Sequence, residues 1–106
     1  MITVHCVDTS GSMGSNSLVW AQQEVLKRFK PKDIVVLFSM SYLIVSDLDR
    51  PFTSYPYNFA MGAGTDATEV LEFVKAKGAN SILYSDGQVP DDQLKQFNTF
   101  INIQND

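Results

Sequence analysis

A short apolar segment that runs into an aspartate, then a loop of glycines and hydroxyl side chains, most constrains the fold of this chain. Residues 2–7 read I-T-V-H-C-V, and residues 8–14 continue as D-T-S-G-S-M-G. The apolar run is typical of a strand that is buried on both faces of a parallel sheet. Because Asp8, Ser10 and Ser12 alternate along the loop, their oxygens can turn toward one point. We therefore expect a ligand-binding loop at the carboxyl end of a buried strand.

The apolar periodicity of the remaining chain alternates between helical and strand spacing. It predicts helices over residues 18–29 and 65–77, a short helix that starts near Pro90, and further strands over residues 33–39, 41–48, 81–85 and 99–103. Because no helical crossover fits between the second and third strands, these two must be antiparallel neighbours, with the third strand at an edge. The expected fold is an α/β domain: an open, mostly parallel five-stranded sheet, Rossmann-like, of order 3-2-1-4-5, with helices on both faces.

The ends of the two longer helices carry their own signals. The polar residues 15–17, S-N-S, are all suited to cap the amino end of the first helix. Asp66 and Glu69 have the spacing of a capping box at the start of the second helix, and Gly78 is a natural stop for it.

Length and composition limit the classes of function. The 106 residues are 44% hydrophobic and contain no repeat, which predicts one domain spanning residues 1–106. A net charge of −4 without a Lys/Arg run argues against nucleic-acid binding, and no apolar run approaches the roughly 20 residues that span a bilayer. The single Cys6, inside the first strand, and the lack of a signal sequence predict a buried thiol in a cytoplasmic protein.

Three short motifs together resemble one known family. D-T-S-G-S at residues 8–12 resembles the D-x-S-x-S motif of the metal-ion-dependent adhesion site in von Willebrand factor type A domains. That family adds a threonine from a later loop and an aspartate that ends a following strand. Here G-A-G-T-D at residues 62–66 precedes a helix, and S-D-G at residues 85–87 closes a strand. The resemblance implies a metal site made of Asp8, Ser10, Ser12, Thr65 and Asp86.

The resemblance also implies how such a site works. Ser10 and Ser12 would bind Mg²⁺ (or Mn²⁺) directly, Thr65 directly or through water, and Asp8 and Asp86 mainly through water. Oxygen ligands of this kind suit a hard divalent cation that prefers six-fold coordination. An acidic side chain of a partner protein would complete the coordination, so the implied activity is protein binding and the chain is not expected to be an enzyme.

Two features set this chain apart from the family. It is shorter and lacks the last strand of the family and the helices around it. One face of the sheet is therefore expected to be covered by a single helix. Either that face is polar enough for water, or a partner or second copy covers it as a homodimer, with Trp20 nearby. Residues 49–64 are rich in aromatic side chains, and Tyr55, Tyr57 and Phe59 either form a recognition rim beside the metal or fill the core.

Other functions make different demands on the same residues. A haloacid-dehalogenase-like phosphohydrolase also uses Mg²⁺, but it needs a carboxylate where Ser10 stands and basic side chains in the loops. A type A-like adaptor of an AAA+ ATPase that has lost metal dependence is a further alternative. In a purely structural alternative, Ser10 and Ser12 cap the first helix and the aspartates bind backbone amides. The one histidine, His5, is expected to be a hydrogen-bonded core residue rather than a ligand or base.

Overall fold

The computed structural model describes residues 1–10, 13–55 and 65–103, in which strands and helices follow one another in the predicted order. The strands are β1 (Thr3–Asp8), β2 (Ile34–Phe38), β3 (Tyr42–Val45), β4 (Asn80–Ser85) and β5 (Thr99–Asn102). The helices are α1 (Gly14–Arg28), α2 (Thr68–Lys77) and the short α3 (Asp91–Leu94), with a 3-10 turn at Phe52–Ser54. Within these ranges, no helix combines the length and the apolar character needed to cross a membrane.

The five strands form one sheet in the order β3-β2-β1-β4-β5, which confirms the predicted fold class. β1 pairs in parallel with β2 on one side and with β4 on the other, and β4 pairs in parallel with β5. β3 is the antiparallel edge strand beside β2. The chain therefore leaves β1 toward one side and later returns to its other side. In such a sheet the carboxyl ends of β1 and β4 meet at the switch point, where ligands bind.

Apolar side chains of β1 and its neighbours point alternately to the two faces of the sheet, so a helix packs against each face. One buried cluster packs α1 against the sheet and includes Val7 and Val25. The other packs α2 against the opposite face and includes Cys6, Val70 and Leu83. Cys6 is fully buried, which confirms the prediction of a buried thiol, and this burial raises the pKa of the thiol.

The amino end of α1 differs from the prediction. The helix begins at Gly14, so residues 15–17 lie inside its first turn instead of capping it. Met13 occupies the N-cap position and makes no side-chain capping bond. Because Met13 is fully buried in the cluster beneath α1 and Gly14 adopts a φ of 69°, the chain turns into the helix earlier than the polar residues suggest.

The amino end of α2 also differs from the prediction, whereas its carboxyl end agrees with it. The helix begins at Thr68 with Ala67 as its N-cap, so the predicted capping box is wrong. Asp66 instead accepts hydrogen bonds from the backbone N–H and the hydroxyl of Thr68, at 3.0 and 2.6 Å. Gly78 ends the helix with a φ of 59°, the left-handed conformation that glycine adopts without strain.

The segment after β3 adds to the cover that α1 gives this face of the sheet. Among the described residues, α1 is the only α-helix in the buried cluster on this face, in agreement with the expected single covering helix. Phe52 and Tyr55 are buried in the α1 cluster. The side chain of Gln22 in α1 donates to the carbonyls of Leu48 and Arg50, both at 3.0 Å. It also accepts the N–H of Phe52 at 2.8 Å. These bonds fix the segment against the helix.

The opposite side of the same face, over β4 and β5, is less completely covered. Ile82 of β4 and Ile101 of β5 are only partly buried against the α1 cluster. This is the area that a second copy of the chain would cover, and the homodimer stays a prediction.

Candidate metal centre

Asp8, the last residue of β1, is the centre of the candidate site. It is fully buried. Its Oδ1 atom accepts the backbone N–H of Ser10 at 2.8 Å, and its Oδ2 atom accepts the hydroxyl of Ser85 at 2.7 Å. Both oxygens of the carboxyl group therefore have a donor, and its orientation is fixed from both sides.

The pKa of the Asp8 carboxyl lies above its usual value. Burial is the main cause, because it disfavours the charged form. Hydrogen bonds from Ser10 and Ser85 act in the opposite direction, and the negative charge of Asp86 raises the pKa further. None of the ion pairs found among the described residues includes Asp8 or Asp86. Two carboxyl groups therefore influence each other there without a cationic side chain to compensate them.

Contacts with β2 hold the loop that follows β1. The backbone N–H and the hydroxyl of Thr9 both donate to the carbonyl of Phe38, at 2.8 and 2.9 Å. Ser10, which is 4% exposed, follows directly, and its side chain contributes to lowering the pKa of Asp8. The N–H of Met13 donates to the carbonyl of Ser10 at 2.9 Å.

Two other loops reach the same edge of the sheet. Asp86 directly follows β4, and its Oδ1 atom accepts the N–H of Gln88 at 3.1 Å. Thr65 precedes Asp66, whose N–H donates to the carbonyl of Ser39 at the end of β2, at 2.8 Å. Thr65 and Asp86 therefore lie at the carboxyl edge, on opposite sides of β1.

The five predicted ligands fall into three groups. Asp8, Ser10 and Asp86 come together where β1 and β4 end. Thr65 lies at the same edge, next to the end of β2. Ser12 lies outside the described residues, and its role stays a prediction.

Ser85 is the site residue that sequence reasoning missed. It is fully buried at the end of β4, where its Oγ atom donates to Asp8 and accepts the N–H of Gly87 at 3.1 Å. The one available signal was a hydroxyl that closes the otherwise apolar run I-L-Y-S. Its contact with Asp8 follows from strand register, because Val7 pairs with Tyr84 and the next residues of both strands become neighbours.

The residues predicted to contact a partner have different environments. Trp20 lies on the outer side of α1 and is 37% exposed, so its role stays a prediction. Tyr55 is buried: its hydroxyl donates to a backbone carbonyl at 2.8 Å, and the guanidinium of Arg50 lies 4.3 Å from its ring centroid. This burial favours the alternative in which the aromatic segment fills the core. Tyr57 and Phe59 lie outside the described residues.

The donor atoms at this edge suit a hard divalent cation. Carboxylate and hydroxyl oxygens are what Mg²⁺ and Mn²⁺ accept, and none of the eight Lys and Arg residues lies in the loops concerned. Among residues 1–10, 13–55 and 65–103, no group of three or more His, Cys, Asp or Glu is placed to hold a metal ion. A metal site here therefore depends on hydroxyls as much as on Asp8 and Asp86.

A cleft of about 570 Å³ lies at the opposite, amino edge of the sheet, lined in part by His5 and Asp33. His5 is fully buried, with Nδ1 2.8 Å from the hydroxyl of Tyr84 and Nε2 3.0 Å from the Asp33 carboxylate. This confirms His5 as a hydrogen-bonded core residue. Asp8 lies three positions further along β1, about 10 Å away. The histidine therefore does not belong to the candidate metal centre.

Comparison with known proteins does not identify a relative. No family model matches the chain, and no significant match is found among curated proteins or solved structures. The resemblance to von Willebrand factor type A domains therefore rests on its three motifs, with which the α/β fold is compatible.

Proposed function

We propose that this chain is a protein-binding module that holds Mg²⁺ or Mn²⁺ at the carboxyl edge of its sheet and engages an acidic side chain of a partner protein. The observation that carries the proposal is the environment of Asp8. This carboxyl group is fully buried beside Asp86, and no ion pair among the described residues compensates it. An uncompensated buried charge is costly, and a divalent cation offsets that cost.

The residues of the site would contribute in two ways. Asp8 and Asp86 supply negative charge, whereas Ser10 and Thr65 supply neutral oxygens, joined by Ser12 according to the motif. The resemblance implies that neutral hydroxyls contact the cation directly and that both carboxylates act mainly through water, so the bound cation keeps enough positive character to accept a further carboxylate from outside. The site therefore favours recognition of an Asp or Glu side chain on another protein.

The same residues do not favour phosphoryl transfer or serine hydrolysis. Phosphoryl transfer relies on basic side chains around the phosphate, and the loops at this edge contain none. Serine hydrolysis needs a base beside the nucleophile. The chain's one histidine, His5, is bonded to Asp33 and Tyr84 instead of Ser10. Binding is the function that these residues support best.

Direct measurement of metal binding tests the first part of the proposal. A ligand present at ten times its dissociation constant stabilises the native state by about 1.4 kcal/mol, or about 6 °C in a domain of this size. We expect Mg²⁺ or Mn²⁺ to raise the melting temperature accordingly, with binding heat in isothermal titration calorimetry. A wild-type protein that responds to neither ion would remove the metal from the function.

Partner capture tests the second part. Proteins are captured from source lysate with Mg²⁺ and with EDTA, using the wild type, Asp8→Asn and Asp33→Asn. Asp33→Asn is the matched control, because it makes the same change in a hydrogen-bonded aspartate at the opposite edge. We expect a partner that is lost with EDTA and with Asp8→Asn but kept with Asp33→Asn. Identical partners in all samples would contradict a metal-mediated contact.

A further inference from the structure

Three hydrogen bonds join the loop after β4 to the loop after β1. The N–H of Gly87 donates to Ser85 Oγ at 3.1 Å, and the Ser85 hydroxyl donates to Asp8 Oδ2 at 2.7 Å. The N–H of Ser10 then donates to Asp8 Oδ1 at 2.8 Å. The hydroxyl of Ser85 thus connects two of the loops that carry the proposed ligands.

Hydrogen bonds fix the position of Ser85 and orient its hydroxyl group. Its carbonyl accepts the N–H of Ile103 at 2.8 Å, and the residue pairs with Asn102 of β5. A serine hydroxyl has one proton and two acceptor positions. Because one acceptor position is taken by Gly87 N–H, and the proton is directed at Asp8, Ser85 acts on the carboxylate as an oriented donor.

The orientation of Asp8 depends on donors of this kind. The last torsion of an aspartate side chain has a broad energy profile, so a carboxyl group without fixed partners turns easily. Here the backbone of Ser10 holds one oxygen and Ser85 holds the other. Carboxylates that serve a metal are usually held by such outer partners, and the loss of one weakens metal binding about 10- to 100-fold.

We infer that Ser85 is a positioning residue of the metal centre: its hydroxyl holds Asp8 in the orientation that a divalent cation requires and couples it to the loop of Asp86. This inference rests on the proposed metal binding. It assigns a role to a residue that is no part of the D-x-S-x-S motif. If Ser85 only satisfied a buried carboxyl group, its loss would change the stability of the fold and leave the affinity for the ion unchanged.

Ser85→Ala tests this role, with Ser81→Ala as a matched control. Ser81 is another buried serine of β4, 1% exposed, whose Oγ atom lies 3.2 Å from Asn98 Oδ1 near the amino end of the strand. We expect Ser85→Ala to weaken Mg²⁺ binding about 10- to 100-fold in isothermal titration calorimetry. Ser81→Ala should bind Mg²⁺ as the wild type does. Wild-type affinity in Ser85→Ala, or an equal loss in Ser81→Ala, would overturn the inference whatever happens to the melting temperature.

The result for the wild type separates this inference from the proposed function. If the wild type binds neither Mg²⁺ nor Mn²⁺, the proposed function fails, and the inference with it. If the wild type binds and Ser85→Ala binds equally well, the inference alone fails. Should circular dichroism show that Ser85→Ala is unfolded, Ser85→Cys takes its place, because a thiol is of similar size but a weak donor. Weakened binding in Ser85→Cys supports the inference, and wild-type affinity overturns it.

Discussion

The two edges of the sheet each hold a hydrogen-bonded aspartate, and the two aspartates differ in what compensates their charge. At the amino edge, Asp33 accepts the N–H groups of Thr3 and Lys30 and contacts His5 Nε2, each at 3.0 Å. Burial would raise the pKa of the Asp33 carboxyl, but these hydrogen bonds, with that of His5 first, outweigh it and hold the pKa below its usual range. At the carboxyl edge, burial prevails and the pKa of Asp8 is raised.

This difference separates a structural carboxylate from one suited to an external ion. The fold places the imidazole of His5 and two backbone N–H groups against Asp33, so the ionised form of this carboxyl group is already stabilised. Asp8 receives hydrogen bonds but no counter-charge among the described residues, and Asp86 adds a second negative charge. The two aspartates therefore differ in what they need: the ionised form of Asp33 is stabilised within the fold, whereas the ionised form of Asp8 requires a cation from outside.

The largest expected effect concerns Mg²⁺ affinity. Asp8→Asn removes one of the two negative charges of the proposed site, so the affinity should fall about 100-fold, equivalent to about 2.7 kcal/mol. Asp33→Asn removes the same charge at the other edge and should leave the affinity unchanged. Isothermal titration calorimetry on both variants measures the difference. Equal losses would erase the distinction between the two edges.

The next effect is on stability at neutral pH without divalent cations. Asp33→Asn should lower the free energy of unfolding by about 2 kcal/mol, since hydrogen bonds to a charged acceptor contribute about 1.5–3 kcal/mol each and asparagine retains part of them. Asp8→Asn should cost less, because it also removes an uncompensated buried charge. Urea unfolding monitored by circular dichroism compares the two. A larger loss in Asp8→Asn would contradict our account of Asp8.

The pH dependence of stability should have opposite signs at the two edges. Asp33, with its lowered pKa, contributes stability that is present above the unfolded-state value of about 3.9 and is lost as pH falls toward the folded-state value. Asp8, with its raised pKa, contributes stability that is present below about 3.9 and is lost as pH rises through the folded-state value.

Urea unfolding between acid and neutral pH, without divalent cations, measures both contributions. The deficit of Asp33→Asn relative to the wild type should grow as pH rises. The deficit of Asp8→Asn should shrink or reverse over the same range, because only the wild type gains a buried charge there. Parallel pH profiles of the two variants would be inconsistent with the opposite shifts.

The smallest effect is expected from Asp86→Asn in the absence of divalent cations. Its charge is the last of the factors that raise the pKa of Asp8, so removing it should increase the free energy of unfolding by only about 0.5 kcal/mol. With Mg²⁺ present, the same substitution should lower the free energy of unfolding, because the variant binds the stabilising ion less tightly. The difference between melting temperatures with and without Mg²⁺ measures this reversal. If Asp86→Asn were more stable than the wild type by the same amount with and without Mg²⁺, Asp86 would lie outside the metal centre.

The sheet was largely predictable from local pattern, whereas the helix starts were not. The apolar runs of β1 and β2 predicted buried strands, and the short gap before β3 was sufficient to place β3 at the edge beside β2. Residues 15–17 are good caps by type, but the chain turns earlier, at Met13, because that side chain is buried under α1. Capping preference is a weak local effect that tertiary packing overrode.

The candidate site was also predictable only where local sequence pattern decides the position of a residue. Asp8 and Asp86 stand out because each follows an apolar run that predicts a strand, and the carboxyl ends of parallel strands share one edge. Ser85 did not stand out, because its contact with Asp8 joins residues 77 positions apart and depends on the register of β1 and β4. Tyr55 was open to two interpretations because an aromatic ring looks the same in sequence whether it is buried or exposed.

Residue order alone was enough to specify the α/β sheet and to bring the candidate loops to one edge, because periodicity and chain direction are properties of the local sequence. Only the folded chain decided which charges are compensated. Whether a carboxylate meets an imidazole, as Asp33 does, or a hydroxyl and another carboxylate, as Asp8 does, depends on neighbours in space. Burial and counter-charge, which set the pKa of each group, arise from the packing of strands and helices that are distant in the chain.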